Sequence, residues 1–265
     1  MRRNPIALLF ILVSLLATSC AKSPFANGKP VSETRNVHPN FRIISIYNNV
    51  NVKLIHSNRP RLELTCPENL IDHITTETKG DTLFIKNENK HNWLRSYDYD
   101  INLTVYYDSL SEINYSSIGR LYNVEGDSIR GVAVRQNDTL AETDEWNPQY
   151  IQSFSLNVEE GAGDIDLTLC CTVFKSRFTN GTSLVTIKGT ANYSEYNTRN
   201  YGAIHAEDLQ TTFSRVRTES SNDVYVAPSS LLRVWLFSIG NVYYKGNPNV
   251  VVETHSGNGQ IIRLE

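Results

Sequence analysis

Six short stretches in the second half of the chain rewrite one another, and their spacing restricts the fold more than any other feature. They are GAGDIDL (161–167), GTSLVTI (181–187), NYGAIHA (200–206), SSNDVYV (220–226), SIGNVYY (238–244) and SGNGQII (256–262). Their central aliphatics, Ile165, Val185, Ile204, Val224, Val242 and Ile261, stand 20, 19, 20, 18 and 19 residues apart. A period near 20 is the signature of a β-solenoid. Leu167, Ile187, Ala206, Val226 and Tyr244 lie two residues beyond the first five centres. Strand alternation puts both sets on one face and Asp166, Thr186, His205, Tyr225 and Tyr243 on the other. A lone turn cannot bury its apolar face, so the motif must recur. The Gly, Ser and Asn residues ahead of each centre are expected to serve corners that need positive φ.

Upstream the rhythm changes. Residues 41–122 read as an irregular β region, with alternation in VNVKL (50–54) and RLELTC (61–66) and a turn at Lys79-Gly80-Asp81. Glu68 to Thr76 suits a turn or one short helix. SSIGRL (116–121) reads as an eroded copy of the repeat. Residues 123–153 form an acidic insertion holding a weak strand at Gly131 to Arg135, and 154–265 carry the repeats. The charged ends of the last turn, 250–265, fit a cap on an exposed sheet edge.

The first residues read as an address. Arg2 and Arg3 precede a 12-residue run, Ile6 to Ala17, with only Ser14 polar. That run is too short to span a bilayer but suits an export signal over residues 1–19. LATSC (16–20) resembles a bacterial lipobox, in which Cys20 becomes the lipidated first residue. Several acyl chains would then anchor the protein firmly, because each buried methylene contributes ~0.8 kcal/mol. Pro24, Pro30 and Pro39 punctuate residues 20–40, which read as a tether. The expected location is the outer membrane, on its periplasmic or its outer face.

The charge of −3 becomes −5 once Arg2 and Arg3 are cleaved away, and no basic stripe stands out. Nucleic acid is therefore not an expected partner. Tyr, at 14 copies, outnumbers Phe, at 9, as suits half-buried strands. Cys66, Cys170 and Cys171 remain in the body. The compartment permits a disulfide, and Cys66 could pair with either neighbour but not both. Three small buried hydrophobes are the simpler expectation.

Taken together, the opening FRIISI (41–46), ENLIDHI (68–74), GDTLFI (80–85), the repeats and YYKGNP (243–248) resemble the auto-transporter adhesin head, GIN-domain family. The resemblance covers about residues 41–262. It implies an all-β protein with a right-handed parallel β-helix-like, or β-solenoid-like, body and a more irregular sheet region on its N-terminal side. It also implies an exported lipoprotein. It brings no catalytic residues, metal or cofactor.

The residues themselves offer little chemistry. Asp164 and Asp166 flank Ile165, and Asp223 falls in the column of Asp164 three strand spacings away, ~14 Å. That is too far for a glycosidase carboxylate pair. The histidines lack metal-ligand spacing, and GAGDIDL echoes a calcium-binding nonapeptide only once. The outward column of His205, Tyr225 and Tyr243 is the main candidate binding surface, for a glycan or an envelope protein. Trp93 and Trp146, in polar loops, are candidate contacts, whereas Trp235 is expected in the core. Thr82, Ser109, Ser128 and Thr139 each sit in an Asp-[Ser/Thr]-aliphatic triplet. These triplets resemble an O-glycosylation acceptor of some Gram-negative bacteria, although Asp-Ser and Asp-Thr also start turns. The reading is a non-enzymatic, lipid-anchored envelope protein, adhesin-like or structural. The alternatives are a β-helix lyase or hydrolase and a periplasmic maintenance protein.

Overall fold

The structure is a computed structural model that describes residues 28–90, 100–135 and 150–265. Cys20, Trp93, Trp146 and Thr139 lie outside the described residues. The chain is all-β. Its N-terminal strands are β1 (Pro30–Arg35), β2 (Ile43–Asn48), β3 (Asn51–His56), β4 (Arg61–Pro67), β5 (Ile74–Lys79) and β6 (Thr82–Asn87). β7 (Asn102–Tyr107), β8 (Glu112–Ser117), β9 (Leu121–Asn123) and β10 (Val132–Arg135) follow. The repeats supply β11 (Tyr150–Glu159), β12 (Ile165–Thr179), β13 (Val185–Arg199), β14 (Ile204–Thr218) and β15 (Val224–Leu236). β16 (Val242–Tyr244), β17 (Asn249–His255) and β18 (Ile261–Arg263) end the chain. One 3-10 turn, Ile71–His73, occupies the stretch with expected helical potential.

Hydrogen-bonded pairing joins all of these strands into one curled sheet. It is organised as two ladders. In the first, parallel pairing runs from β7 through β3, β9 and the leading halves of β12, β13, β14 and β15 to β16 and β18. In the second it runs from β6 through β2, β8, β11 and the trailing halves of the same long strands to β17. Antiparallel strands cover the N-terminal edge, with β5 on β6 and β4 on β7, and β1 on β4.

The six central aliphatics fall opposite one another, from Ile165 through Val185, Ile204, Val224 and Val242 to Ile261. The first five are buried and Ile261 packs half-buried against the same core. The register also continues upstream of residue 154, through Leu121 and Val52 to Leu103. SSIGRL is thus a working copy with Leu121 at its centre, while its Ile118 stays 62% exposed. Inward side chains of both ladders, such as Ile113 and Leu156 on the second, join one hydrophobic core. Phe154 and Phe174 stack within it, 6.1 Å apart.

Three expectations are corrected. The corner glycines are not there for positive φ. The non-glycine left-handed positions are Asn48, Glu160 and Asn180, with φ of 66°, 56° and 54°, and none of the glycines at the repeat corners has a positive φ. Gly202 instead lies so close to the Ser183 carbonyl of the previous turn that a Cβ there would overlap it, and Gly163 meets Gly119 in the same way. Close stacking of backbones, rather than backbone conformation, excludes a side chain.

Next, the stretch read as a tether already contains β1. Its alternate residues Val31, Glu33 and Arg35 turn partly inward, and the Arg35 guanidinium donates to the carbonyls of Ile71 and Ile74. Trp235, finally, is not in the core. It sits half-buried on the outer face with the Arg215 guanidinium 4.4 Å above its ring. Its alternation partners Val234 and Leu236 took the inward places.

Gly202→Ala is expected to cost about 1–3 kcal/mol of stability, as overpacking does. Ser221→Ala, at an exposed position of the next corner, should stay within ~0.5 kcal/mol. Urea unfolding of the two variants measures both, and equal effects would refute the stacked-corner account.

Candidate outer-face binding surface

The outward column forms as alternation requires. His205, Tyr225 and Tyr243 are directly opposite one another on β14, β15 and β16. Their rings are stacked, His205 to Tyr225 at 4.6 Å and Tyr225 to Tyr243 at 4.7 Å, with planes within 11° and 7° of parallel. These separations match the ~4.8 Å strand spacing, so the backbone sets the stack. Burial, helped by the nearby charge of Asp223, raises the Tyr225 phenol above its ordinary range.

Parallel stacking has a chemical consequence. The facing surfaces of the rings are used by one another, and Ile262 stands opposite Tyr243 at the end. The column therefore presents ring edges and polar tips rather than open aromatic faces. Asn241 donates to the Tyr243 hydroxyl at 3.4 Å. Toward the N-terminal side the column continues through Thr186 and Asp166 to Tyr122. Asp166 lies between Arg120 (3.6 Å) and Lys188 (3.5 Å), and the Arg120 guanidinium lies 4.7 Å over the Tyr122 ring.

His205 pairs with an acid outside its column. The partner is two residues along the same strand, where Glu207 Oε1 lies 3.0 Å from Nδ1. The i, i+2 spacing on β14 was the available signal. The other Glu207 oxygen is buried without a partner.

Three of the four acceptor triplets lie among the described residues, and they behave differently. Asp127 caps a turn, accepting from the backbone N–H groups of Ser128 (2.8 Å) and His56 (2.7 Å). That is the turn-forming role of an Asp-Ser pair. Thr82 opens β6 and Ser109 follows β7, both half-buried. Among the described residues, no three His, Cys, Asp or Glu side chains group to hold a metal ion. No described helix is long and apolar enough to cross a membrane.

Residues 40–248 match the family described as "Putative auto-transporter adhesin, head GIN domain". The chain belongs to this family. No functionally curated protein matches it. A crystal structure of a "putative adhesin" from Bacteroides fragilis is similar, with a TM-score of 0.75 at 17% identity, over 90% of this chain and 99% of that one. A "putative adhesin" from Parabacteroides distasonis gives 0.59 at 16% identity, over 90% and 99%. A "Putative lipid binding protein" from the same species gives 0.58 at 18%, over 90% and 98%. At these identities the likeness shows a shared fold.

All three described cysteines are free, with Cys66 and Cys171 buried and Cys170 exposed. Burial pushes the Cys66 thiol up to about 11 and the Cys171 thiol up to about 12, from an ordinary 9.0. In native protein at pH 8, a thiol reagent is expected to label Cys170 and spare the other two until denaturant is added. These raised values stabilise the fold fully below pH 9. The contribution is lost as pH climbs from 9 through the folded values, at up to ~1.4 kcal/mol per pH unit per thiol. Fast native labelling of Cys171 would contradict its placement.

Proposed function

We propose that this chain is a non-catalytic, lipid-anchored head of the cell envelope, adhesin-like in action. Its repeats would close into a right-handed β-solenoid, and its partner would dock on the outer face. The unbroken ring stack of His205, Tyr225 and Tyr243 carries this reading. A stiff ribbon of ring edges, hydroxyls and flanking charges can match hydroxyl-rich glycans or a protein strand without moving. The adhesin names of the relatives and the LATSC lipobox support the same location. O-glycans on Thr82, Ser109 or Ser128 would suit it too.

Two experiments test the proposal. Palmitate labelling in cells should mark the wild-type protein and not Cys20→Ser, and protease added to intact cells should reach a surface-displayed head. For the binding face, Tyr225→Ala with Tyr243→Ala should weaken attachment of the purified chain to envelope preparations at least about tenfold, the scale of interface anchors. Unchanged attachment by a folded double variant would end the ring-stack assignment.

A further inference from the structure

The second ladder carries a different outward column, one that sequence alternation alone did not single out. Asn157 on β11, Arg177 on β12, Asn197 on β13 and Arg217 on β14 are directly opposite in turn, and Trp235 follows on β15. Arg199 and Glu219 stand beside this column and help to line a groove of about 450 Å³. Two cations there share one carboxylate. Arg199 Nη2 lies 2.6 Å and Arg217 Nη2 3.3 Å from Glu219. Arg177 is exposed, and no ion pair is recorded for it among the described residues. The three arginines of the groove outnumber its two carboxylates, Glu159 and Glu219, on a chain whose total charge is −3.

The alternation of Asn and Arg keeps like charges apart within this column. Arginines on adjacent strands would face each other at ~4.8 Å, where like charges directly opposite are destabilising. An intervening Asn sets Arg177 and Arg217 two spacings apart, ~10 Å. The same period occurs in an extended two-fold uronic acid polymer. Its sugars each advance by a length comparable to one strand spacing, and its like-facing carboxylates recur every second sugar. Guanidinium forks bind carboxylates bidentately. The Asn197 amide, which donates to Glu195 at 2.8 Å, keeps its carbonyl oxygen as an acceptor for a sugar hydroxyl between them.

We propose that this groove binds an acidic polysaccharide running across the strands, with carboxylates of alternate sugars on Arg177 and Arg217. The site lies on the other ladder from the ring stack and does not depend on it.

The test is titration calorimetry of the full mature chain with β-1,4-linked oligomannuronate. A neutral cello-oligosaccharide and vesicles of anionic phospholipid serve as comparison arms. Binding of the uronate, weakened by added salt and absent for the neutral sugar, supports the proposal. Arg177→Gln with Arg217→Gln should reduce it at least about tenfold, as loss of charge-assisted pairs does. Asn197→Asp, which places a carboxylate between the two arginines, should do the same if the double variant does not fold. Asn258→Ala, at an exposed corner that does not line the groove, should leave it unchanged. No uronate binding, binding indifferent to Asn197→Asp, or equal arginine-dependent binding to the vesicles would overturn the assignment.

Discussion

The structure depends on parallel backbone hydrogen bonding between segments 18–20 residues apart in the chain. Each long strand is hydrogen-bonded along both halves to the one before it, from Ile165 opposite Val185 to Thr179 opposite Arg199 in the first such pair. Parallel ladders satisfy backbone groups only if neighbours stay in register, and a one-residue slip would turn every side chain to the opposite face. The buried column from Leu103 to Val242 supplies the driving force that fixes that register.

Other features follow from the same constraint. Corners must stack as closely as strands do, which leaves no room for a side chain at Gly163 or Gly202. Outward residues become ladders automatically, so one kind of side chain repeated at the period yields a stripe. On one face that produces stacked rings, and on the other an alternating Asn–Arg column. Both surfaces are held by the sheet rather than by loops, so little ordering is left to be done on binding. The open N-terminal edge is closed by antiparallel β4, β5 and β1, the usual remedy for an exposed strand edge.

The repeats were legible because their centres are strongly apolar and evenly spaced. From Ile165, alternation alone fixes which ring faces outward, and the stack of His205, Tyr225 and Tyr243 follows. What was hidden is non-local or hidden in phase. β6 and β7 come later in the chain than β2 and β3, yet pack outside them, and no local pattern encodes that order. Trp235 was misplaced because a large aromatic between Val234 and Leu236 looks like core, whereas alternation puts it outside under Arg215. The long strands also switch phase at their midpoint, where Val173 and Phe174 are both buried. The second half of each repeat therefore could not be read forward from the first, and the Asn–Arg column lay in that half. β1 was obscured by flanking prolines.

The central claim is that successive repeats advance by one strand spacing each. Spin labels at Thr182→Cys, Ser221→Cys and Asn258→Cys, three exposed corners, in a Cys170→Ser background, measure that advance directly. Ser221 is two corners beyond Thr182, and Asn258 is four. The Thr182–Asn258 separation should exceed the Thr182–Ser221 separation by two spacings, ~10 Å. Equal separations, or a difference of several times that value, would contradict it.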